Sequence, residues 1–206
     1  MTLPGQRLGR RVAERQRETA ETVVAVRIDL DGSGQAEITT GIGFLDHLLT
    51  HLARHGGFDL RVHARGDRQI DEHHTTEDVA IVLGQAFLAA LGDRAGIRRM
   101  GHSLMPMDDV LVLVAVDLSG RGKAVIDLPF ARERLGELST ELIPHFLETF
   151  ALEGRLNLHC RLLVPGNAHH QAEAAFKGLA RALSDAVSFD PRRSGQLPST
   201  KEYLEA

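Results

Sequence analysis

The chain has 206 residues but a single cysteine, Cys160, and no tryptophan. One thiol forbids an internal disulfide and leaves no thiolate metal cluster, which fits a reducing compartment and makes the cytoplasm the expected location. Aromatic residues are scarce, eight Phe and one Tyr, so no basic stripe carries rings on which nucleic-acid bases could stack. Neither sign of charge dominates: 24 Lys and Arg stand against 28 Asp and Glu, a formal net charge of −4. A chain built to coat nucleic acid or anionic lipid needs the opposite balance, and neither partner is expected. The longest uninterrupted apolar run, Val110 to Val116, is seven residues, against the roughly 18 or more that a bilayer span requires. The segment from Met1 to Ala20 lacks the apolar stretch of a secretory signal. It carries Arg7, Arg10, Arg11, Arg15 and Arg17 diluted by Glu14 and Glu18, and reads as a solvated lead-in to the first strand. What is present is enough apolar residue, 43%, for the buried core of one large domain or two small ones. Histidine is the excess, with 11 residues unevenly placed.

Self-similarity organises the rest. Phe44-Leu-Asp-His47-Leu-Leu49 resembles Leu142-Ile-Pro-His145-Phe-Leu147 at an offset of 98, and Ile28-Asp-Leu-x-Gly32-x-Gly34 resembles Val116-Asp-Leu-x-Gly120-x-Gly122 at an offset of 88. At an offset of 96, His73-His74-x-x-Glu77 falls on His169-His170-x-x-Glu173. The duplication predicts an N-terminal repeat over 1–92, a C-terminal repeat over 93–190 and a tail over 191–206. Within the first copy, Val24, Val26, Ile28 and Leu30 alternate with polar or small residues, the period of a half-buried strand. Gly32-Ser33-Gly34 turns the chain into a second strand over 35–40. Phe44, Leu45, Leu48, Leu49 and Leu52 then predict a helix over 44–55, ended by Gly56-Gly57. A strand over 58–62 and a helix opening near Thr75 complete the module. The second copy predicts strands over 110–118, 123–128 and 156–163 and helices over 142–153 and 172–186. Helices with one apolar stripe need a sheet face to cover, so the expected class is α/β (α+β): a two-layer sandwich with the helices on one side.

The histidines concentrate in this repeat. On a helix, residues i and i+4 share a face while i+1 is turned away by about 100°. His73 and Glu77 can therefore face one metal while His74 points toward another, and His169, Glu173 and His170 can do the same. With His47 and His145 the candidate ligands are His47, His73, His74, Glu77, His145, His169, His170 and Glu173, four for each of two metals. Imidazole and carboxylate without thiolate suit a borderline-to-hard divalent ion, and a six-coordinate ion would keep two open positions for chemistry. Ligand type does not separate Mn from Fe, Co or Zn. His51, His55, His63, His102 and His159 lack a repeat partner and are expected to be mostly surface or packing residues.

The stretches Thr40-Gly-Ile-Gly-Phe-Leu-Asp46-His47, Asp71-Glu-His73-His74-Thr-Thr-Glu77-Asp78, Pro106-Met-Asp108, Ser119-Gly-Arg121, Gly166-Asn167-Ala-His169-His170-Gln-Ala-Glu173 and Pro198-Ser-Thr-Lys201 together resemble the imidazoleglycerol-phosphate dehydratases, lyases of histidine biosynthesis. The resemblance runs from about Arg17 to Leu204. It implies two Mn²⁺ ions per active site, a duplicated module of the type seen in the second domain of ribosomal protein S5, and a tail that closes on the active site. It also implies active sites shared between subunits of a large homo-oligomer built from trimers, roughly 24 subunits in all. The sequence departs from the family pattern at Asp109, where Glu is usual, at Met100, where an aromatic is common, and at Glu202, where Gly usually follows Ser-Thr-Lys.

A phosphorylated imidazole substrate needs cations and hydrogen-bond donors. The resemblance points to Arg99, Arg121, Lys177, Ser199 and Lys201 for substrate binding, with Glu21 as an acid at the site. Glu21 pairs with Asp109 through the repeat. The acid and base are expected among Glu21, Asp108, Glu77 and Glu173. The implied reaction converts D-erythro-1-(imidazol-4-yl)glycerol 3-phosphate to 3-(imidazol-4-yl)-2-oxopropyl phosphate. No carbonyl neighbours the proton to be removed, so the ring must supply electrons, as a metal-bound imidazolate that expels hydroxyl to leave a diazafulvene-like intermediate. Two other readings compete: a dinuclear hydrolase that would release inorganic phosphate, and a metal-stapled shell or RNA-binding protein suggested by fold analogy alone.

Overall fold

A computed structural model of the chain describes residues 10–193, 195–201, 203 and 204. Arg7 of the basic lead-in and Glu202 of the tail lie outside them. The N-terminal repeat runs β1 (Val12–Glu18), β2 (Thr22–Asp29), β3 (Ala36–Thr39), α1 (Gly43–Gly56), β4 (Asp59–Gly66) and α2 (His73–Leu91). The C-terminal repeat runs β5 (Met100–Met107), β6 (Val110–Asp117), β7 (Lys123–Asp127), a small extra hairpin of β8 (Arg134–Leu135) and β9 (Leu138–Ser139), α3 (Leu142–Glu153), β10 (Asn157–Val164) and α4 (Ala168–Val187). The extra hairpin sits where the offset between the two copies grows from 88 to 98.

The two sheets share one topology, β1-β2-β4-β3 and β5-β6-β10-β7. β4 is antiparallel to β2 but parallel to β3, and β10 stands in the same relation to β6 and β7. A parallel neighbour requires a crossover, which α1 and α3 supply. Two strands escape the periodicity argument. The expected solvated lead-in is, over Val12–Glu18, an edge strand paired with β2, Val12 opposite Asp29 and Glu18 opposite Val23. Its side chains are mostly exposed and polar, as an edge tolerates, so no apolar alternation betrays it. β5 pairs with β6 from Met100 opposite Asp117 to Met107 opposite Val110, yet alternates the wrong way for recognition: Leu104 is exposed while Gly101 is buried. Gly101 is needed because β5 lies directly on α4; a Cβ there would come within 2.0 Å of the Ala182 carbonyl oxygen.

Val24, Val26 and Ile28 on β2 and Val112 and Val114 on β6 are buried beneath α2 and α4, the helices that cover the two sheets. Each repeat is thus a two-layer unit. The units then stack helix to helix, α1 on α4 and α2 on α3, with Phe87 of α2 and Phe150 of α3 at 5.7 Å between ring centroids; within the C-terminal repeat, Phe146 of α3 and Phe176 of α4 lie at 5.4 Å. Burying a side chain such as Phe150 contributes about 1.5–3 kcal/mol, and the C-terminal repeat alone could not bury it against Phe87 of α2. Among the described residues, no helix is long and apolar enough to cross a membrane.

Cys160 lies in this core, 1% exposed, and burial pushes its thiol up to about 12. Reactivity needs the thiolate and access. Iodoacetamide at pH 8 should therefore leave Cys160 unmodified in the native protein and alkylate it fully in guanidinium, as read by intact mass; rapid native labelling would contradict this burial.

Candidate active site

Local capping sets the positions of the histidine pairs. α4 opens at Ala168 rather than near Ala172 because the Asn167 side-chain oxygen accepts the His169 N–H at 2.9 Å, an N-cap. α2 begins at His73, whose N–H donates to Asp71 Oδ1 at 2.7 Å. Each His-His pair thus occupies the first turn of a helix, with its glutamate about one turn further along the same face.

Glu173 centres one group. Its Oε1 lies 2.8 Å from both His47 Nε2 and His169 Nε2. Its Oε2 lies 2.6 Å from Lys177 Nζ and 3.3 Å from His51 Nε2. Burial would push this carboxyl up, but the hydrogen bonds from Lys177, His47 and His169 together outweigh it and hold the group well below the usual carboxylate range. Burial also lowers His51, to about 4, so its imidazole is neutral and carries a lone pair.

The second group is His73, Glu77 and His145, whose donor atoms lie within 4.8 Å of one another. His145 Nε2 is 3.2 Å from Glu77 Oε1, and the rings of His73 and His145 are 4.9 Å apart. Both groups cross the repeat boundary. His47 comes from α1 and meets α4, while His145 comes from α3 and meets α2, which follows from the helix pairing and could not be read from spacing.

His74 and His170 face elsewhere. The His74 ring stands 79° to that of His73 and the His170 ring 89° to that of His169. His74 Nδ1 is 3.1 Å from both oxygens of Asp67 and 3.8 Å from Glu21 Oε2. His170 Nδ1 is 2.8 Å from Asp109 Oδ1, and its Nε2 is 3.6 Å from Asp108 Oδ2. The Asp67 and Asp109 contacts raise the two imidazoles above their ordinary range. Glu21 and Asp108 thus stand beside these outer histidines, both well exposed, and away from the Glu-centred groups. Asp108 holds a left-handed backbone, φ 47°, in the two-residue turn between β5 and β6, a conformation that Asp tolerates better than most residues.

Of the expected substrate-binding residues, Arg99, Arg121, Ser199 and Lys201 line one cavity of about 190 Å³, together with Ser119, Thr200, Tyr203 and Leu204. Arg99 also has φ 73°, an uncommon backbone that aims its side chain at the tail: Nε and Nη2 grip Asp117 at 2.6 and 2.9 Å, and Nη1 donates to the Pro198 carbonyl at 2.8 Å. Lys177 does not line this cavity; it is held on Glu173. His51, expected at the surface or in packing, instead joins the Glu173 group. The signal for it was available, four residues from His47 on one helix face. Asp67 had no such signal, because it comes from the loop after β4.

Comparison with known proteins identifies the family. The family model described as imidazoleglycerol-phosphate dehydratase matches residues 40–183. An imidazoleglycerol-phosphate dehydratase of Dehalococcoides mccartyi is 57% identical over 196 residues, covering 95% of this chain and 98% of the relative; one of Roseiflexus sp. is 53% identical over 94% of this chain and 98% of the relative. The crystal structure of the Staphylococcus aureus dehydratase superposes with a TM-score of 0.79 at 36% identity, covering 87% of this chain and 99% of that one. The IGPD structure from Pyrococcus furiosus, in complex with (S)-C348, does so with a TM-score of 0.79 at 37% identity, covering 92% and 100%. By sequence and by fold, the chain belongs to the imidazoleglycerol-phosphate dehydratases, hydro-lyases of histidine biosynthesis.

Proposed function

We propose that this chain dehydrates D-erythro-1-(imidazol-4-yl)glycerol 3-phosphate to 3-(imidazol-4-yl)-2-oxopropyl phosphate with two divalent metal ions, manganese by family likeness, in the cytoplasm. The observation that carries the metal dependence is the pair of imidazole-and-carboxylate groups, His47, His169 and Glu173 in one and His73, Glu77 and His145 in the other. Their donor chemistry fits such an ion, with no thiolate and no closed sulfur cage.

Each group offers donors from one chain, while His74 and His170 stand outside both. Asp67 and Asp109 bind their Nδ1 atoms, the arrangement that fixes a histidine ring and leaves Nε2 to ligate. In this reading those Nε2 atoms complete the groups of neighbouring copies, which gives a reason for an assembly of trimers. It also makes Glu21 and Asp108 visitors to a neighbour's site, where they and Glu77 and Glu173 are the carboxylates available for proton transfer.

Bound ions would supply Lewis acidity at the ring nitrogens of the substrate. The residues of the chain do the rest. Arg99, Arg121, Ser199 and Lys201 hold the phosphate, and the tail over Pro198–Lys201 covers it. Lys177 balances the charge of Glu173. Electron donation from the ring, once its N–H proton is removed, expels the hydroxyl, which leaves as water on taking a proton from a nearby acid, and a diazafulvene-like intermediate remains. A carboxylate then takes the proton from the adjacent carbon, and the resulting enol tautomerises to the ketone. The test is to strip the protein of metal and follow ketone and inorganic phosphate separately. Ketone that returns only with added manganese, without free phosphate, is the expected result. Phosphate release would establish the hydrolase reading instead, and full activity in the stripped protein would overturn the metal dependence. RNA retained in a salt-sensitive manner would speak for the third reading.

A further inference from the structure

The two metal-ligand groups are related by the repeat but are not equivalent. In the Glu173 group, His51 Nε2 lies 3.3 Å from His47 Nε2 and 3.3 Å from Glu173 Oε2. Metal–ligand bonds of about 2.0–2.2 Å place neighbouring donors about 3 Å apart, so the His51–His47 separation is that of adjacent ligands on one ion. His51 is four residues after His47 on α1, and the same step after His145 on α3 reaches Thr149. Likewise Lys177, one turn after Glu173, has Ile81 as its counterpart one turn after Glu77. Glu173 is 7% exposed and fixed at both oxygens, whereas Glu77 is 39% exposed.

Resting on the two-metal reading above, we infer that His51 is an additional ligand of the Glu173 site, where its donor atom lies within 4.8 Å of those of His47 and Glu173, so that this site binds its ion more tightly than the Glu77 site, which has no counterpart of His51. His51 is placed for this: its side chain is 19% exposed, with its Nε2 already turned into the group. The Lys177 ammonium opposes a cation here, but it engages Oε2 and leaves Oε1 facing His47 and His169 as the coordinating oxygen. The two sites therefore load in order, the Glu173 site first, and dilution or mild chelation empties the Glu77 site before it.

Equilibrium dialysis of the full chain against Mn²⁺, read by metal analysis, tests the idea without reference to turnover. The wild type should take up two ions per chain in two classes, the tighter by about tenfold or more. His51→Gln should bind two ions in one weak class, with unchanged far-UV circular dichroism in the stripped protein. Thr149→His, which transplants the donor to the other site, should strengthen the weaker class by about the same factor. Two classes of unchanged affinity in His51→Gln, or equal classes in the wild type, overturn the inference while leaving the two-metal reading intact. A wild type that binds no Mn²⁺ overturns both.

Discussion

Replacement of Glu173 by glutamine is expected to lower kcat/KM by about 10²–10³-fold and to remove one of two bound ions per chain. The volume is conserved, so the effect is one of charge and lone pairs. In the wild type a single carboxylate accepts from Lys177 through Oε2 while Oε1 faces His47 and His169. An amide has one oxygen to offer. Either Lys177, 15% exposed, loses its counter-charge, or the two imidazoles face an NH₂ group and the ion loses its anionic ligand. An unsatisfied buried partner costs about 1–3 kcal/mol, which for a chain of this size lowers the melting temperature of the metal-free protein by about 2–10 °C. Glu77→Gln separates the two consequences. Glu77 is more exposed and has no lysine partner, so the metal-free melt should move little while one ion and most of the activity are again lost. Metal content, steady-state rates and melts on the two variants decide it. Either variant with two bound ions and wild-type turnover would remove that glutamate from the ligand set.

That comparison also shows where the sequence was informative and where it fell silent. Short-range periodicity located α1, α3, β2, β6 and β10, because those elements alternate or repeat apolar residues against one core. α3 matches its predicted span, 142–153. The His-His-x-x-Glu motifs were legible for the same reason: one helix turn fixes which residues share a face. Periodicity carries no signal on an edge strand whose side chains are mostly polar and exposed, as in β1, or where a glycine and a serine face the helix, as Gly101 and Ser103 of β5 face α4. It also says nothing of which helix meets which. That His47 belongs with Glu173 and His145 with Glu77 depends on the stacking of the two repeats. His51 had the right spacing, but without Glu173 in view a lone histidine on an amphipathic helix looks like packing. Lys177 shows the converse: one-turn spacing placed it on Glu173, while its distance from the cavity of Arg99 and Arg121 had no local signal.

Arg99→Ala should lower kcat/KM by about 10²–10³-fold, chiefly through a rise in KM. Arg99 is 14% exposed and does two things at once. Its guanidinium lines the cavity with Arg121, Ser199 and Lys201, and its fork joins Asp117 on β6 to the Pro198 carbonyl of the tail. Truncation removes a cation where the phosphate is proposed to bind, leaves Asp117 as an unneutralised anion beside it, and frees the segment carrying Ser199 and Lys201. A hydrogen bond to a charged group is worth about 1.5–3 kcal/mol, roughly a factor of 10–10² in affinity, and the loss of the cation and the loosening of the tail weaken the same ligand. Lysine should not rescue the variant, because one ammonium cannot span both Asp117 oxygens and a carbonyl in the geometry of a planar fork. Arg121 supplies the contrast. Its side chain is exposed, so Arg121→Ala should weaken phosphate binding alone, by about 10–10²-fold, with no change in tail order. Inhibition by inorganic phosphate and limited proteolysis of the tail report the two effects separately: both variants should resist the inhibitor, and only Arg99→Ala should expose the tail to cleavage. If Arg99→Ala kept wild-type KM and phosphate sensitivity, the cavity would have to be given up as the phosphate site, since the residue that shapes it on two sides would contribute nothing to binding there.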